Sequence, residues 1–268
     1  MSFLYMILAI AFIVLLYMRI ETTLLKVRRV YLTRSSQHLK IVQLSDIHIK
    51  FLKVNITKIL KVLEEEKPDL VILTGDYIDS VKQIPAFFSF LDRIKGGNEV
   101  FLCFGNHDYG AFHQNESGFL RFVSDIKQKG IKVLLNESVY YKKGQSTYNL
   151  IGIEDFRSKR YDLKKAFENC ESNVTANIAF SHNPDIVLEL PEGKADFLLC
   201  GHFHGGQIWM PFNLEFMILR HEKICKMGII KGLHKLNNVM IYINSGIGNV
   251  LFPLRFLSKP EITVLYFK

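Results

Sequence analysis

Three stretches decide the fold: LKIVQLSDIH (39–48), DLVILTGDYID (69–79) and EVFLCFGNHD (99–108). Each is an apolar run of strand length that ends in a small residue. Each then delivers side chains able to bind metal or move protons. Between the first two lies a helical stretch, with Ile56, Ile59, Leu60 and Leu63 at i, i+3, i+4 and i+7 and Lys58, Lys61 and Glu64 to Glu66 between them. Asn55 is placed to cap this helix, and Lys67-Pro68-Asp69 stops it. A second helix is expected near 82–95, closed by Gly96-Gly97. Strand, helix, strand, helix, strand is the rhythm of an α/β domain.

Beyond a helix near 117–129 the pattern changes. IKVLL (131–135), SVYY (138–141) and YNLIGI (148–153) read as short strands of a second sheet. A helix near 162–170 precedes NIAFS (177–181), and another, beginning near Pro184, precedes DFLLC (196–200). VMIYIN (239–244) and ITVLYF (262–267) are strands as well. The chain has no internal repeat and no low-complexity tract.

Five of these strands carry chemistry just past their carboxyl ends, the edge where ligands bind in open α/β sheets. They present Asp46 and His48, Asp76, Asn106 with His107 and Asp108, His182, and His202 with His204. Gly75, Gly105 and Gly201 stand just before three of these groups and permit tight turns. Taken singly, each piece has a plain reading: a surface pair for Asp46 and His48, a turn residue for Asp76, a satisfied core histidine for His182, one structural zinc for His202 and His204. Taken together, two carboxylates, four imidazoles and an amide oxygen suit divalent first-row metals. Such a set is too large for one zinc. It suits two metals ~3.5–4 Å apart that share a carboxylate, as in hydrolysis of phosphate esters.

The totals are consistent with this. The 268 residues allow one large α/β domain, and the formal net charge of +8 fits anionic partners. Cys103, Cys170, Cys200 and Cys225 form no CxxC pair and read as reduced, apolar residues of a reducing compartment.

The amino terminus stands apart. FLYMILAIAFIVLLYM (3–18) carries no charge, Pro or Gly. It lacks the basic start and small-residue cleavage site of a signal peptide, and the polar face of a core helix. A single membrane anchor over residues 1–20 is the expectation, followed by a basic juxtamembrane connector (21–38) and the catalytic domain (39–268). Arg19, Lys26, Arg28, Arg29, Arg34 and Lys40 all follow the apolar run, which places the catalytic domain in the cytoplasm.

The series DIH, GDYID, GNHD, SHNP (181–184) and GHFHGGQ (201–207) resembles the calcineurin-like metallophosphoesterase superfamily over about residues 40–268. GHFHGGQ, INSGIG (243–248) and RFLSKPEI (255–262) look like its membrane-associated bacterial branch of YkuE/YaeI-type phosphodiesterases, to which a chlamydial UDP-2,3-diacylglucosamine pyrophosphatase is similar. The resemblance implies a four-layer α/β/β/α sandwich, here preceded by one transmembrane helix. It implies two divalent metals, of which manganese, iron and zinc are the candidates. Asp46, His48 and His204 would hold one; Asn106, His182 and His202 the other; Asp76 would bridge them. Water activated there would attack phosphorus in line, with His107 as general acid beside the leaving oxygen and Asp108 orienting His107 or capping a loop. Some members of the branch carry a twin-arginine export signal, but here Arg28-Arg29 follow the apolar run, which argues against such export.

Two late stretches bear on the substrate. IWMPFNLEFMIL (208–219) and NVLFPLRFLSKP (249–260) are rich in large apolar residues yet broken by Pro211, Pro253 and Pro260. Beside the cleft they would form an apolar rim, with Arg220, Lys223 and Arg255 near to meet phosphate; the alternative is that they pack the second sheet or a dimer contact. The expected reaction is therefore hydrolysis of a phosphate ester or pyrophosphate, with an amphipathic lipid-linked substrate as the favoured partner. A nuclease ranks lower, because the body lacks a long basic tract interleaved with aromatics, so nucleic acid is not the expected partner. A membrane-anchored binding protein with a degenerate site is the remaining alternative, which the complete donor set opposes.

Overall fold

A computed structural model describes residues 2–32 and 38–267 of the chain. Helix α1 (Ser2–Glu21) opens it, 20 residues long with a mean hydropathy of 2.4 over its most apolar window. At ~1.5 Å per residue it reaches about 30 Å, the depth of a hydrocarbon core. Only Met18 and Glu21 are buried, both at its carboxyl end. By length and composition it is able to cross a membrane.

Next come β1 (Lys26–Tyr31), β2 (Leu39–Leu44), α2 (Ile56–Glu66), β3 (Leu70–Thr74), α3 (Ile84–Lys95), β4 (Val100–Cys103), the short α4 (Asn106–Gly110), α5 (Glu116–Gln128) and β5 (Lys132–Val133). The second half holds β6 (Glu137–Lys143), β7 (Ser146–Gly152), α6 (Leu163–Glu168), β8 (Ala176–Phe180), β9 (Phe197–Cys200), α7 (Leu214–Leu219), α8 (Lys223–Lys226), β10 (Gly232–Leu236), β11 (Val239–Ile243) and β12 (Glu261–Phe267). Local chemistry sets the ends as expected. Asn55 Oδ1 accepts the N–H of Thr57 at 2.8 Å and caps α2, and Gly96, at φ 39°, closes α3.

The strands form two six-stranded sheets, ordered β1-β12-β2-β3-β4-β5 and β10-β11-β9-β8-β7-β6. In the first, β2 through β5 are parallel; in the second, β7, β8, β9 and β11 are parallel. Three apolar layers hold them together. Val42, Leu73, Phe87 and Phe122 pack α2, α3 and α5 on the outer face of the first sheet. Ile41, Ile72, Phe101, Leu150 and Phe180 fill the space between the sheets. Ile151, Val187, Leu198 and Phe216 cover the outer face of the second. This is the four-layer α/β/β/α sandwich. Two buried side chains tie the sheets: Gln43 Nε2 donates to the carbonyl of Cys200 at 2.9 Å, and Asn244 Nδ2 donates to Thr263 Oγ1 at 2.8 Å.

Several local expectations differ from the structure. The stretch 21–38 is not simply a connector, because Lys26–Tyr31 pairs in parallel with β12 as an edge strand. Val27 packs toward the helices and Val30 toward the second sheet, while the interleaved charges Lys26, Arg28 and Arg29 suit an edge and hide the strand in the sequence. Residues 33–37, with Arg34, lie outside the described residues. IKVLL contributes a two-residue strand to the first sheet, beside β4, and not to the second. ITVLYF is a strand as expected, and it lies in the first sheet, antiparallel to β2. The helix expected at Pro184 is a 3-10 turn, Pro184–Leu188, cut short ahead of Pro191 and Gly193. Residues 208–219, expected as loop or strand, instead form a 3-10 turn (Pro211–Asn213) and α7.

Candidate metal centre

The carboxyl ends of β2, β3 and β4 from one sheet meet those of β8 and β9 from the other, so one cleft collects groups far apart in sequence. Backbone bonds lace the loops: Asp46 N–H to Gly75 O at 3.0 Å, His48 N–H to Asp76 O at 2.9 Å, and Gly201 N–H to His182 O at 3.0 Å. Asp46, His48, Asp76, His202 and His204 all sit at positive φ, between 37° and 73°. Non-glycine residues rarely adopt that region, and it holds here because the surrounding strands determine it. Two glycines are required by close approach. A Cβ on Gly105 would lie 2.2 Å from Asp76 Oδ1, and one on Gly201 would lie 1.8 Å from Ser45 Oγ.

Three donor triplets result, Asp46–His48–His204, His48–Asp76–His107 and Asp76–His182–His202, with the donor atoms of each within 4.8 Å of one another. They overlap as a chain, linked through His48 and Asp76. Asp76 Oδ2 stands 3.0 Å from His182 Nε2 and 3.6 Å from His48 Nε2, between the two ends of that chain. His182 Nδ1 faces the carbonyl of Thr74 at 2.8 Å and so donates there, which leaves Nε2 as the inward nitrogen. His48 Nδ1 faces Asp79 Oδ1 at 3.1 Å, with the same consequence for its Nε2.

The residues fit divalent cations by a second observation. His48 Nε2, Asn106 Oδ1 and His204 Nδ1 are buried without a hydrogen-bond partner. Such orphaned atoms are uncommon and cost about 1–3 kcal/mol each. A cation satisfies imidazole nitrogens grouped with carboxylates, and an amide oxygen is a competent ligand for the same ion. The titration behaviour agrees. Burial pushes the Asp46 carboxyl up, but His204 and then His182 outweigh it and hold it well below the usual carboxylate range. Burial also opposes ionisation of Asp76, which His182, His107 and His48 hold ionised. Burial pulls the His182 imidazole down, yet Asp76, then Asp46 and Asp155, raise it to about 10. In the metal-free protein His182 therefore carries a proton against Asp76, where a cation would take the proton's place.

His107 lies at the cleft mouth, and its partner is not the one expected. Its Nδ1 is 2.8 Å from Asp79 Oδ1. Burial pulls its pKa down, but the Asp79 hydrogen bond and the field of Asp76 raise it overall. Asp108, expected to orient His107 as a catalytic residue or to cap a loop, takes the second role. Its Oδ2 accepts the N–H groups of Asp76 and Gly105 at 2.8 and 2.9 Å, and its Oδ1 those of Tyr77 and Ile78 at 2.8 and 3.1 Å. Burial and then Asp76 push its carboxyl up to about 7. Asp79 carried a signal in the sequence, standing three residues beyond Asp76 in GDYID. Glu222 carried none: its Oε1 reaches His202 Nε2 at 2.7 Å, and Arg157 stands 3.6 Å from the same oxygen.

The cleft above these groups has a volume of about 470 Å³, and Arg157, Arg220, Met210, Leu251 and Phe252 line it. Phe252 is 65% exposed, and Phe212, Met217, Ile218 and Leu251 are exposed nearby in sequence. Phe216, by contrast, is core. Arg255 does not reach the cleft. It is fully buried, and its guanidinium donates to the carbonyls of Ser258, Ser245 and Gly248 at 2.8, 3.1 and 2.7 Å. Lys223 is exposed on α8, and its N–H donates to Asp185. The rim loop also grips α1: Leu257 N–H donates to Glu21 Oε2 at 2.8 Å, Arg255 N–H to Met18 O at 3.1 Å, and Phe256 packs edge-on to Tyr17.

Comparison with known proteins agrees with this geometry. The family model for calcineurin-like phosphoesterases matches residues 39–206. An uncharacterized metallophosphoesterase of Bacillus subtilis (strain 168), YkoQ, is 31% identical over 228 residues, covering 84% of this chain and 82% of that one. The phosphodiesterase YaeI of Escherichia coli (strain K12) is 29% identical, covering 90% and 87%. The UDP-2,3-diacylglucosamine pyrophosphatase LpxG of Chlamydia trachomatis is 27% identical, covering 92% and 90%. With that model matched over residues 39–206 and a 31% identical relative spanning most of the chain, the protein belongs to the calcineurin-like phosphoesterases and is a hydrolase of phosphoric ester or anhydride bonds.

Proposed function

We propose that the protein uses two divalent metals to hydrolyse a phosphodiester or pyrophosphate bond of an amphipathic, lipid-linked substrate at the membrane surface. The overlapping chain of donor triplets, hinged on Asp76, carries the two-metal part. Asp46, His48 and His204 would hold one ion; Asn106, His182 and His202 the other; Asp76 both. Bound there, the ions supply Lewis-acid polarisation of phosphoryl oxygens and bring water's acidity into the neutral range.

The chain's own residues do the rest. Arg157 and Arg220, at the cleft wall, receive phosphoryl oxygens and orient the scissile group. Asp79 accepts from His107 Nδ1, which leaves Nε2 as the proton donor to the leaving oxygen. Glu222, held ionised at about 2 against burial by its bond to His202, fixes that ring. Phe252 and Leu251 offer apolar surface on the cleft wall, and the same loop binds the foot of α1. An acyl chain leaving the bilayer would find apolar contact there. The diacyl substrate named for the chlamydial relative fits this reading.

We further propose that α1 spans the membrane once and that the catalytic domain is cytoplasmic, on the strength of the positive residues after the apolar run. Purified full-length protein loaded with manganese should hydrolyse a nucleotide-sugar glycolipid with a higher kcat/KM than a soluble phosphodiester or DNA. Preference for DNA would remove the lipid reading. A carboxyl-terminal reporter active only outside the cytoplasm would remove the topology.

A further inference from the structure

A second groove, of about 760 Å³, lies at the foot of α1 and shares no lining residue with the catalytic cleft. Its walls come from the end of α1 (Tyr17, Glu21), the start of β1 (Lys26, Arg28), α2 (Lys58) and the loop before β12 (Ser258, Lys259), with Lys231 from the approach to β10. Five cationic side chains therefore face it: Lys26, Arg28, Lys58, Lys231 and Lys259. Among the described residues the ion pairs involve other cations, such as Arg29 with Glu66 and Lys143 with Asp69, and none of these five. The two carboxylates in the wall are buried and already engaged. Glu21 Oε2 accepts the N–H of Leu257 at 2.8 Å, and Glu261 Oε1 accepts the hydroxyl of Tyr242 at 2.8 Å. Lys58 Nζ has only a long contact to the carbonyl of Thr23, at 3.4 Å.

Cations gathered in one groove without ion-pair partners leave an excess of positive charge there. Like charges repel, and the two wall carboxylates, Glu21 and Glu261, offset only part of five positive charges, with solvent and the negative end of the α1 dipole against the rest. The concave shape concentrates their field. The position is specific too: four of the lining residues, Tyr17, Glu21, Leu24 and Leu25, belong to the last turn of the apolar helix and the turn beyond it. If α1 spans the bilayer, the groove sits at headgroup depth, with Leu24 and Leu25 beside the acyl boundary.

We infer that this groove binds the phosphate headgroup of an anionic phospholipid, as a site separate from catalysis. The inference rests on the membrane-spanning reading of α1. An anionic diester such as phosphatidylglycerol matches the excess of positive charge, whereas zwitterionic phosphatidylcholine places a choline cation among the lysines. The loop of residues 249–259 divides the two sites, with Leu251 and Phe252 on the catalytic side and Leu257 to Lys259 on the other. A lipid held in the groove thus sets the height and tilt of the catalytic mouth over an acidic leaflet.

The test uses the full chain in detergent micelles, with lipid retention read by native mass spectrometry. Dioleoylphosphatidylglycerol should be retained roughly tenfold or more over dioleoylphosphatidylcholine. The triple variant Lys58→Gln, Lys231→Gln, Lys259→Gln should lose that preference, and the corresponding Lys→Arg triple should keep it. None of these residues belongs to the catalytic site, so turnover of a soluble diester serves as the check on folding. Equal retention of the two lipids, an unchanged preference in the Gln triple, or equal displacement by soluble glycerol phosphate would each overturn the inference. Integration into pure phosphatidylcholine vesicles, resistant to an alkaline carbonate wash, reads α1 by itself. Failure there would refute the anchor, whereas integration without headgroup preference would refute only the groove.

Discussion

Replacing Asp79 by Asn tests the proton-donor reading most directly. Asp79 Oδ1 lies 2.8 Å from His107 Nδ1 and 3.1 Å from His48 Nδ1, so one carboxylate steadies two imidazoles. A hydrogen bond to a charged group contributes about 1.5–3 kcal/mol, which is a factor of roughly 10–100 in rate if it is lost in the transition state. Asp79→Asn should therefore lower kcat by about that factor on a diester with an alkoxide leaving group. With a 4-nitrophenyl leaving group, which departs without a proton, the loss should nearly vanish. His107→Ala removes the donor itself and should cost more, about 10²–10⁴-fold on the alkoxide substrate. The double variant should be no worse than His107→Ala, because Asp79 acts through His107. The pH profile offers an independent readout. Asp79 raises the His107 pKa, so the acid form persists to higher pH; its removal should shift the alkaline limb of kcat/KM to lower pH. Because Asp79 also touches His48, the assay needs saturating manganese and measured metal content. An equal loss on both leaving groups at full metal occupancy would refute the assignment of His107 and Asp79 as acid and positioning residue.

Asp76→Ala should abolish binding of both metals, since the two halves of the donor chain meet at its Oδ2; metal analysis returning near two ions per chain would defeat the bridging role. Metal loading should release protons, because His182 is protonated up to about 10 in the metal-free protein and must present a bare Nε2 to a cation. Manganese affinity should accordingly rise between about pH 6 and about pH 8, and a weakly buffered titration that shows no proton release would contradict it. Phe252→Ser should raise KM for a lipid substrate severalfold and leave a soluble diester and the melting temperature unchanged, since its ring is exposed at the cleft wall. Phe256→Ser should behave differently, loosening the loop from Tyr17 and lowering the melting temperature on both substrates alike.

The histidines and carboxylates that cluster in the cleft could be collected from the sequence because they obey a local rule. A buried parallel strand reads as an apolar run, and whatever follows its carboxyl end is delivered to the sheet edge. Asp46, His48, Asp76, His107, His182, His202 and His204 follow five such runs, and no long-range information was needed to collect them. The apolar helix was legible for a similar reason, since sixteen uncharged residues in a row have few alternatives. What tertiary structure alone decided is which neighbour each side chain meets. Asp79 and Asp108 are both acidic residues a few positions past strands, and Asp108 is adjacent to His107 in sequence. Yet Asp108 turns inward to four backbone N–H groups while Asp79 reaches both histidines, because the left-handed turns at His48 and Asp76 set the directions. Arg255 is charged and stands in an apolar rim, but five backbone carbonyls from two loops converge on its guanidinium and bury it. Lys26–Tyr31 has the composition of a linker and becomes a strand only because the edge of β12 is there to pair with it. Apolar periodicity is a property of neighbours along the chain, whereas hydrogen-bond partners and charge neighbours belong to segments as far as 236 residues apart, as with Glu21 and Leu257, brought together only when the chain packs.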